Sequence, residues 1–99
     1  MTRIAQGGVI IERIDYKTQF KRHFKKLTPE MQTLALEVIK SLQGQTRPPG
    51  LRFEKLKGYK DPAIYTVHIT GNYKLSFEVS GSMAILRCIG THNKIDRAP

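Results

Sequence analysis

Two tight-turn signals, one strand's length apart, constrain this chain more than any other feature. Gly71-Asn72 and Ser80-Gly81-Ser82 bracket Tyr73–Val79, where Tyr73, Leu75, Phe77 and Val79 alternate with Lys74, Ser76 and Glu78. A period of two between turns is the pattern of a strand with one buried face, and Gly-Asn is a two-residue hairpin signal. Ala63–Thr70 before the first turn and Met83–Gly90 after the second are also strand-like. Residues 63–90 are therefore expected to form an antiparallel meander.

Upstream the period changes. Tyr16, Phe20, Phe24 and Leu27 recur at helical spacing, leaving Lys17, Lys21, Arg22, Lys25 and Lys26 to face outward. Thr28-Pro29-Glu30 restarts the chain, with Thr as N-cap, Pro at the first helical position and Glu against the positive end of the dipole. Met31, Leu34, Ala35, Val38, Ile39 and Leu42 then share one face of a second helix, which Gly44 ends. Val9–Ile14 reads as a first strand, followed by Asp15 as a possible helix cap, and Met1–Gly8 as a flexible leader to a single domain over 9–99. Arg47-Pro48-Pro49-Gly50 is a rigid connector, Leu51–Lys57 alternates loosely, and Gly58–Pro62 turns the chain. The polar segment Thr91–Pro99 is expected to hug the end of the sheet. The expected fold is α+β in the order β-α-α-β-β-β, an antiparallel twisted sheet with a two-helix hairpin packed on one face.

Composition narrows the function classes. No apolar run approaches the ~20 residues of a membrane span, and Met1–Gly8 lacks the apolar core of a secretory signal. Cys88 is the only cysteine, so no intramolecular disulfide and no cysteine-based zinc site can form, which suits a reducing cytoplasm. The formal charge is +9, and it is lopsided: residues 1–60 hold thirteen Lys/Arg against five Asp/Glu, while residues 61–99 hold four against three. Such a surface calls for a polyanion, either nucleic acid or an acidic protein that masks it.

Strand alternation sorts the candidate chemistry. Tyr65, Val67 and Ile69 share one face of their strand, and Thr66, His68 and Thr70 the other. On the last strand Ile85, Arg87 and Ile89 should alternate with Ala84, Leu86 and an inert, buried Cys88. The face away from the helices then carries His68 and Lys74, with Arg87 as a third candidate, and His92 emerges in the loop Gly90-Thr91-His92-Asn93. Two imidazoles and two cations on an open sheet face suit cleavage of RNA by its own 2′-hydroxyl. That reaction needs a base, an acid and fixed positive charge on the phosphorane-like oxygens. Which histidine is acid and which is base stays open. His23, between Arg22 and Phe24, is assigned to the surface, and three histidines without clustered carboxylates or cysteines make a poor metal set, so no metal or cofactor is expected.

These residues carry a family resemblance. With its basic first helix (Lys17–Lys26), the segment 51–58 (LRFEKLKG), Tyr65-Thr66-Val67-His68-Ile69, the segment 71–78 (GNYKLSFE) and Ile89-Gly90-Thr91-His92, the chain resembles the RelE/ParE superfamily of bacterial type II toxins from Val9 to Pro99. The resemblance implies a microbial-ribonuclease-like fold and, for RelE-like members, an mRNA interferase that enters the ribosomal A site. By position, His68 matches the basic residue of the second strand, Lys74 the arginine that follows a tyrosine, and His92 the residue at the exit of the last strand. Arg87 matches only as a nearby basic residue. Lys74 replaces a guanidinium by a point charge, and Lys94-Ile95-Asp96-Arg97 stands where relatives often have a tyrosine. The expected function is a metal-independent endoribonuclease toxin, with His68, His92, Lys74 and Arg87 catalytic. Lys17, Lys21, Arg22, Lys25, Lys26, Arg52, Lys55 and Lys57 would grip RNA. The expected partners are mRNA, the ribosome and a cognate antitoxin. Two alternatives remain open: a ParE-like protein that blocks DNA gyrase by binding, and a degenerate homologue that only binds antitoxin.

Overall fold

The structure is a computed structural model that describes residues 10–43, 53–60 and 62–99. The expected leader (1–8), the Gly44 helix end, the connector 47–50 and Arg52 lie outside the described residues. Among the described residues the elements follow in the order β1 (Arg13–Tyr16), α1 (Thr18–Lys25), α2 (Pro29–Ser41), β2 (Glu54–Lys60), β3 (Ala63–His68), β4 (Tyr73–Ser80), β5 (Met83–Thr91) and α3 (His92–Arg97). The strands form one sheet in the order β1-β5-β4-β3-β2.

The meander expected from the turn signals is β3-β4-β5. Cross-strand partners run from Ile64↔Glu78 to His68↔Lys74 and from Tyr73↔Thr91 to Ser80↔Met83. Thr70 Oγ1 accepts from the backbone N–H groups of Asn72 and Tyr73 and so stitches the first turn. Gly81 takes φ 61° in the second, a conformation that L side chains rarely adopt. The helical hairpin also forms as expected, with Thr28 Oγ1 accepting from Met31 N at 3.2 Å and Pro29 in the first turn.

Phe20 of α1, with Ala35 and Ile39 of α2 and Leu42 just beyond it, covers the sheet face made by Tyr65, Val67, Leu75, Phe77, Ala84, Leu86 and Ile89. At its centre, Phe77 stacks on Tyr65 with ring centroids 5.7 Å apart and meets Phe53 edge-on at 5.5 Å.

Several expectations are corrected. The first strand is Arg13–Tyr16 rather than Val9–Ile14, because Ile11 plugs into the core while the Glu12 and Arg13 amides both donate to Ser82 O. The ladder with Met83–Leu86 begins only at Arg13, and it is parallel, whereas the other pairings among the described residues are antiparallel. Asp15 therefore sits in β1, where its carboxylate accepts from Tyr16 N, and does not cap α1. Residues 54–60 extend the sheet as the edge strand β2, with Gly58 (φ 86°) inside its irregular pairing to β3 instead of opening a turn. Leu34 is exposed rather than part of the buried stripe. Thr91–Pro99 does pack against the sheet as expected, and it does so through a helix, α3, whose Ile95 is fully buried on the face opposite the hairpin.

The core makes a direct prediction. Phe77→Ala should lower unfolding free energy by about 3–5 kcal/mol, read as a shift in the urea midpoint, whereas Leu36→Gln, 53% exposed, should change it by less than about 0.5 kcal/mol.

Candidate functional site

The polar side chains of three strands meet on the sheet face away from the hairpin. Across the strands, Thr66, Ser76 and Cys88 form one row, and His68, Lys74 and Gly90 the next. The short helix α3 lies against β4 and β5, held by Ile95. Thr91 caps it, with Oγ1 accepting from Lys94 N, and the His92 amide donates to Asn72 O at 3.0 Å. His92 is thus the first residue of a helix, not a loop residue. Gly90 makes room for this arrangement, since a Cβ there would come within 3.2 Å of Lys94 Cδ.

This packing brings three of the four expected site residues together. The rings of His68 and His92 meet edge-to-face, with centroids 4.6 Å apart and planes at 83°. Lys74 is the cross-strand partner of His68, and its ammonium donates to Asp96 Oδ1 at 2.9 Å. The Lys74 side chain is only 10% exposed and the Asp96 side chain 56%, so the carboxylate caps the ammonium from the solvent side. His92 and Asp96 stand four residues apart on α3 and share a face. The pairing of Asp96 with Lys74, 22 residues away in the chain, is a tertiary contact.

Arg87 does not join them. One residue of β5 is unmatched between the pairs Phe77↔Leu86 and Ser76↔Cys88, a bulge at Arg87. The bulge reverses the alternation downstream. Ile89 joins the core with Ala84 and Leu86, while Cys88 lies on the opposite face beside Ser76, where Gln19 donates to its sulfur. The Arg87 guanidinium pairs with Glu78, its Nε donates to Pro99 O at 3.4 Å, and Lys17 Nζ lies 3.3 Å from the same Glu78 carboxylate. Glu78 and Lys74 are about 13 Å apart along β4 at ~3.3 Å per residue. Arg87, Lys17 and Glu78 therefore form a second, separate cluster.

Lys21, Arg22, Lys25 and Lys26 are exposed on or just beyond α1, and Lys55 and Lys57 on β2. His23 is partly buried rather than superficial. Its imidazole pKa is lowered from the ordinary 6.5, first by burial and then by the charges of Lys94, Arg22 and Lys26. Its Nδ1 has no hydrogen-bond partner among the described residues, and neither do the buried Thr66 Oγ1, Ser76 Oγ and His92 Nε2. Thr66 and Ser76 stand in the row next to His68 and Lys74, and a buried polar group left unpaired costs about 1–3 kcal/mol. Among the described residues no three His, Cys, Asp or Glu side chains are gathered as a metal site would need.

No protein-family model and no curated protein sequence matches the chain. Solved structures do. A copper-bound mutant toxin from Helicobacter pylori superposes with a TM-score of 0.71 at 25% identity, over 86% of this chain and 99% of that one. The RelB–RelE antitoxin–toxin complex from Methanococcus jannaschii gives 0.67 at 24% identity, over 86% and 99%. YafQ from E. coli gives 0.70 at 15% identity, over 85% and 97%. The fold is that of the RelE/ParE-type toxins.

Two predictions follow from the geometry. Because folding depresses the His23 pKa, the unfolded chain binds the extra proton. The stability this group contributes is complete above its unfolded value of 6.5 and is lost as pH falls through the lower folded value. His23→Gln should flatten the loss of stability between about pH 7 and about pH 5, measured by urea unfolding at each pH. Thr66→Val should leave stability unchanged or raise it by about 1 kcal/mol, since it replaces an unpartnered buried hydroxyl with a methyl of similar shape.

Proposed function

We propose that this chain is the toxin of a toxin–antitoxin pair and that it arrests translation by cutting messenger RNA on the ribosome. The observation that carries this reading is the contact between His68 and His92, with Lys74 as the cross-strand partner of His68. Imidazole exchanges protons near neutrality, so two in contact offer a proton acceptor and a proton donor at one place. In the reaction one imidazole takes the proton of the 2′-hydroxyl as its oxygen attacks phosphorus. The bond from phosphorus to the 5′-oxygen breaks, and the other imidazole protonates the leaving oxygen. The products are a 2′,3′-cyclic phosphate and a free 5′-hydroxyl. Lys74 stabilises the charge that builds on the phosphorane oxygens, and the reaction requires no metal or cofactor.

The exposed cations of α1, with Lys55 and Lys57 on β2, supply the field that draws in RNA and give a steep salt dependence. The cognate antitoxin is the second partner. Similar folds are found in antitoxin–toxin complexes such as RelB–RelE and DinJ–YafQ. Between α1 and α2 lies an apolar groove of about 360 Å³, lined by Tyr16, Phe20, Phe24, Leu36 and Ile39 and flanked by Lys21 and Lys25. An amphipathic helix with acidic flanks suits it.

The test is cleavage of a reporter mRNA during translation in vitro. Wild type should cut it, and His92→Ala and His68→Ala should each lose about 100-fold or more in rate while keeping the wild-type circular dichroism spectrum. Equal cleavage by both variants would remove the acid/base assignment. Inhibition of DNA supercoiling without RNA cleavage would place the protein with the gyrase-binding relatives instead.

A further inference from the structure

Lys74 is the most heavily buried charge on the site face, and its neighbours pose a problem for any ligand. Its side chain is 10% exposed, and its ammonium is already satisfied by Asp96 Oδ1 at 2.9 Å. A buried ammonium without an anion is costly, so the pair is needed while the site is empty. The carboxylate sits on the solvent side, 56% exposed, on the same face of α3 as His92. An RNA phosphate approaching Lys74 therefore meets a like charge first.

We infer that Asp96 is a tethered stand-in for the substrate phosphate: its carboxylate occupies the ammonium of Lys74 until a phosphodiester displaces it. The inference rests on the reading of this face as an RNA site. The exchange is balanced in charge, because a carboxylate and a phosphodiester each carry one negative charge, and Lys74 is never left unpaired. It is also feasible sterically, because Asp96 is the exposed member and can turn outward while Ile95 keeps α3 docked. Asp96 thus lowers affinity for isolated phosphates and reserves the site for RNA that is held by contacts elsewhere.

The probe is an RNA dinucleotide with a methylated 2′-oxygen, which binds but cannot be cleaved, titrated by NMR. Asp96→Asn should bind it about fivefold more tightly than wild type, the factor by which an exposed competing ion pair weakens a ligand. Asp96→Glu keeps the carboxylate and should bind like wild type. In a Lys74→Gln background Asp96→Asn should bring no gain. Unchanged or weaker binding by Asp96→Asn, or an equal gain without Lys74, would overturn the inference. Should Asp96→Asn undock α3, wild type still decides. The side-chain carboxyl resonance of Asp96 must move to its unpaired position as the dinucleotide saturates, and a resonance that stays put refutes the exchange. Because the readout is binding, absence of cleavage in every variant would remove the nuclease reading alone.

Discussion

Burial of Ile95 is the contact on which the candidate site depends. The hairpin α1–α2 needs only one face of the sheet, and the alternation of β4 supplies it through Leu75, Phe77 and Val79. The other face would be an open polar surface if α3 did not dock there. Six residues cannot hold a helix by themselves, because the cost of nucleation exceeds what so few hydrogen bonds return. One fully buried isoleucine and the Thr91 cap make up the difference. Since His92 and Asp96 ride on the same short helix, the histidine pair and the lysine pair are assembled by that single apolar anchor.

Much of this was legible in the sequence. The meander, the hairpin and the Thr28 cap each rest on local chemistry, namely turn residues, a helical period and a capping side chain, and local chemistry survives folding. The elements that escaped notice carry little signal of their own. In β2 Lys55, Lys57, Gly58 and Lys60 leave no apolar face to read, which is how an edge strand avoids pairing with other chains. In α3 Ile95 is the one large apolar side chain, so no helical period exists. The bulge at Arg87 leaves no mark on composition, yet it moves Ile89 into the core and Cys88 out of it.

For the candidate site, alternation placed His68 and Lys74 on one face of the sheet and the loop after the last strand placed His92 at its end, and the structure brings these three side chains to one place. Arg87 was grouped with them on the same reasoning, and the grouping failed at the bulge. His23 was assigned outward because its sequence neighbours are charged and aromatic. Its burial comes from tertiary packing, and Lys94 of α3 is among the charges that depress its pKa. No local pattern reports a contact between residues so far apart in the chain.

The distribution of charge separates two tasks that a +9 chain would otherwise confuse. On the site face Lys74 pairs with Asp96, Lys17 and Arg87 share the one carboxylate of Glu78, and α3 adds the exposed Lys94 and Arg97. Further exposed cations lie on α1 and β2, namely Lys21, Arg22, Lys25, Lys26, Lys55 and Lys57. Long-range attraction therefore arises at the periphery, where it is screened by salt over about 8–10 Å. The Lys74 ammonium, on a side chain only 10% exposed, is less open to that screening than the cations of α1 and β2. A polyanion would be drawn to the protein without sequence preference, and discrimination would begin only where its backbone must compete with the protein's own carboxylates.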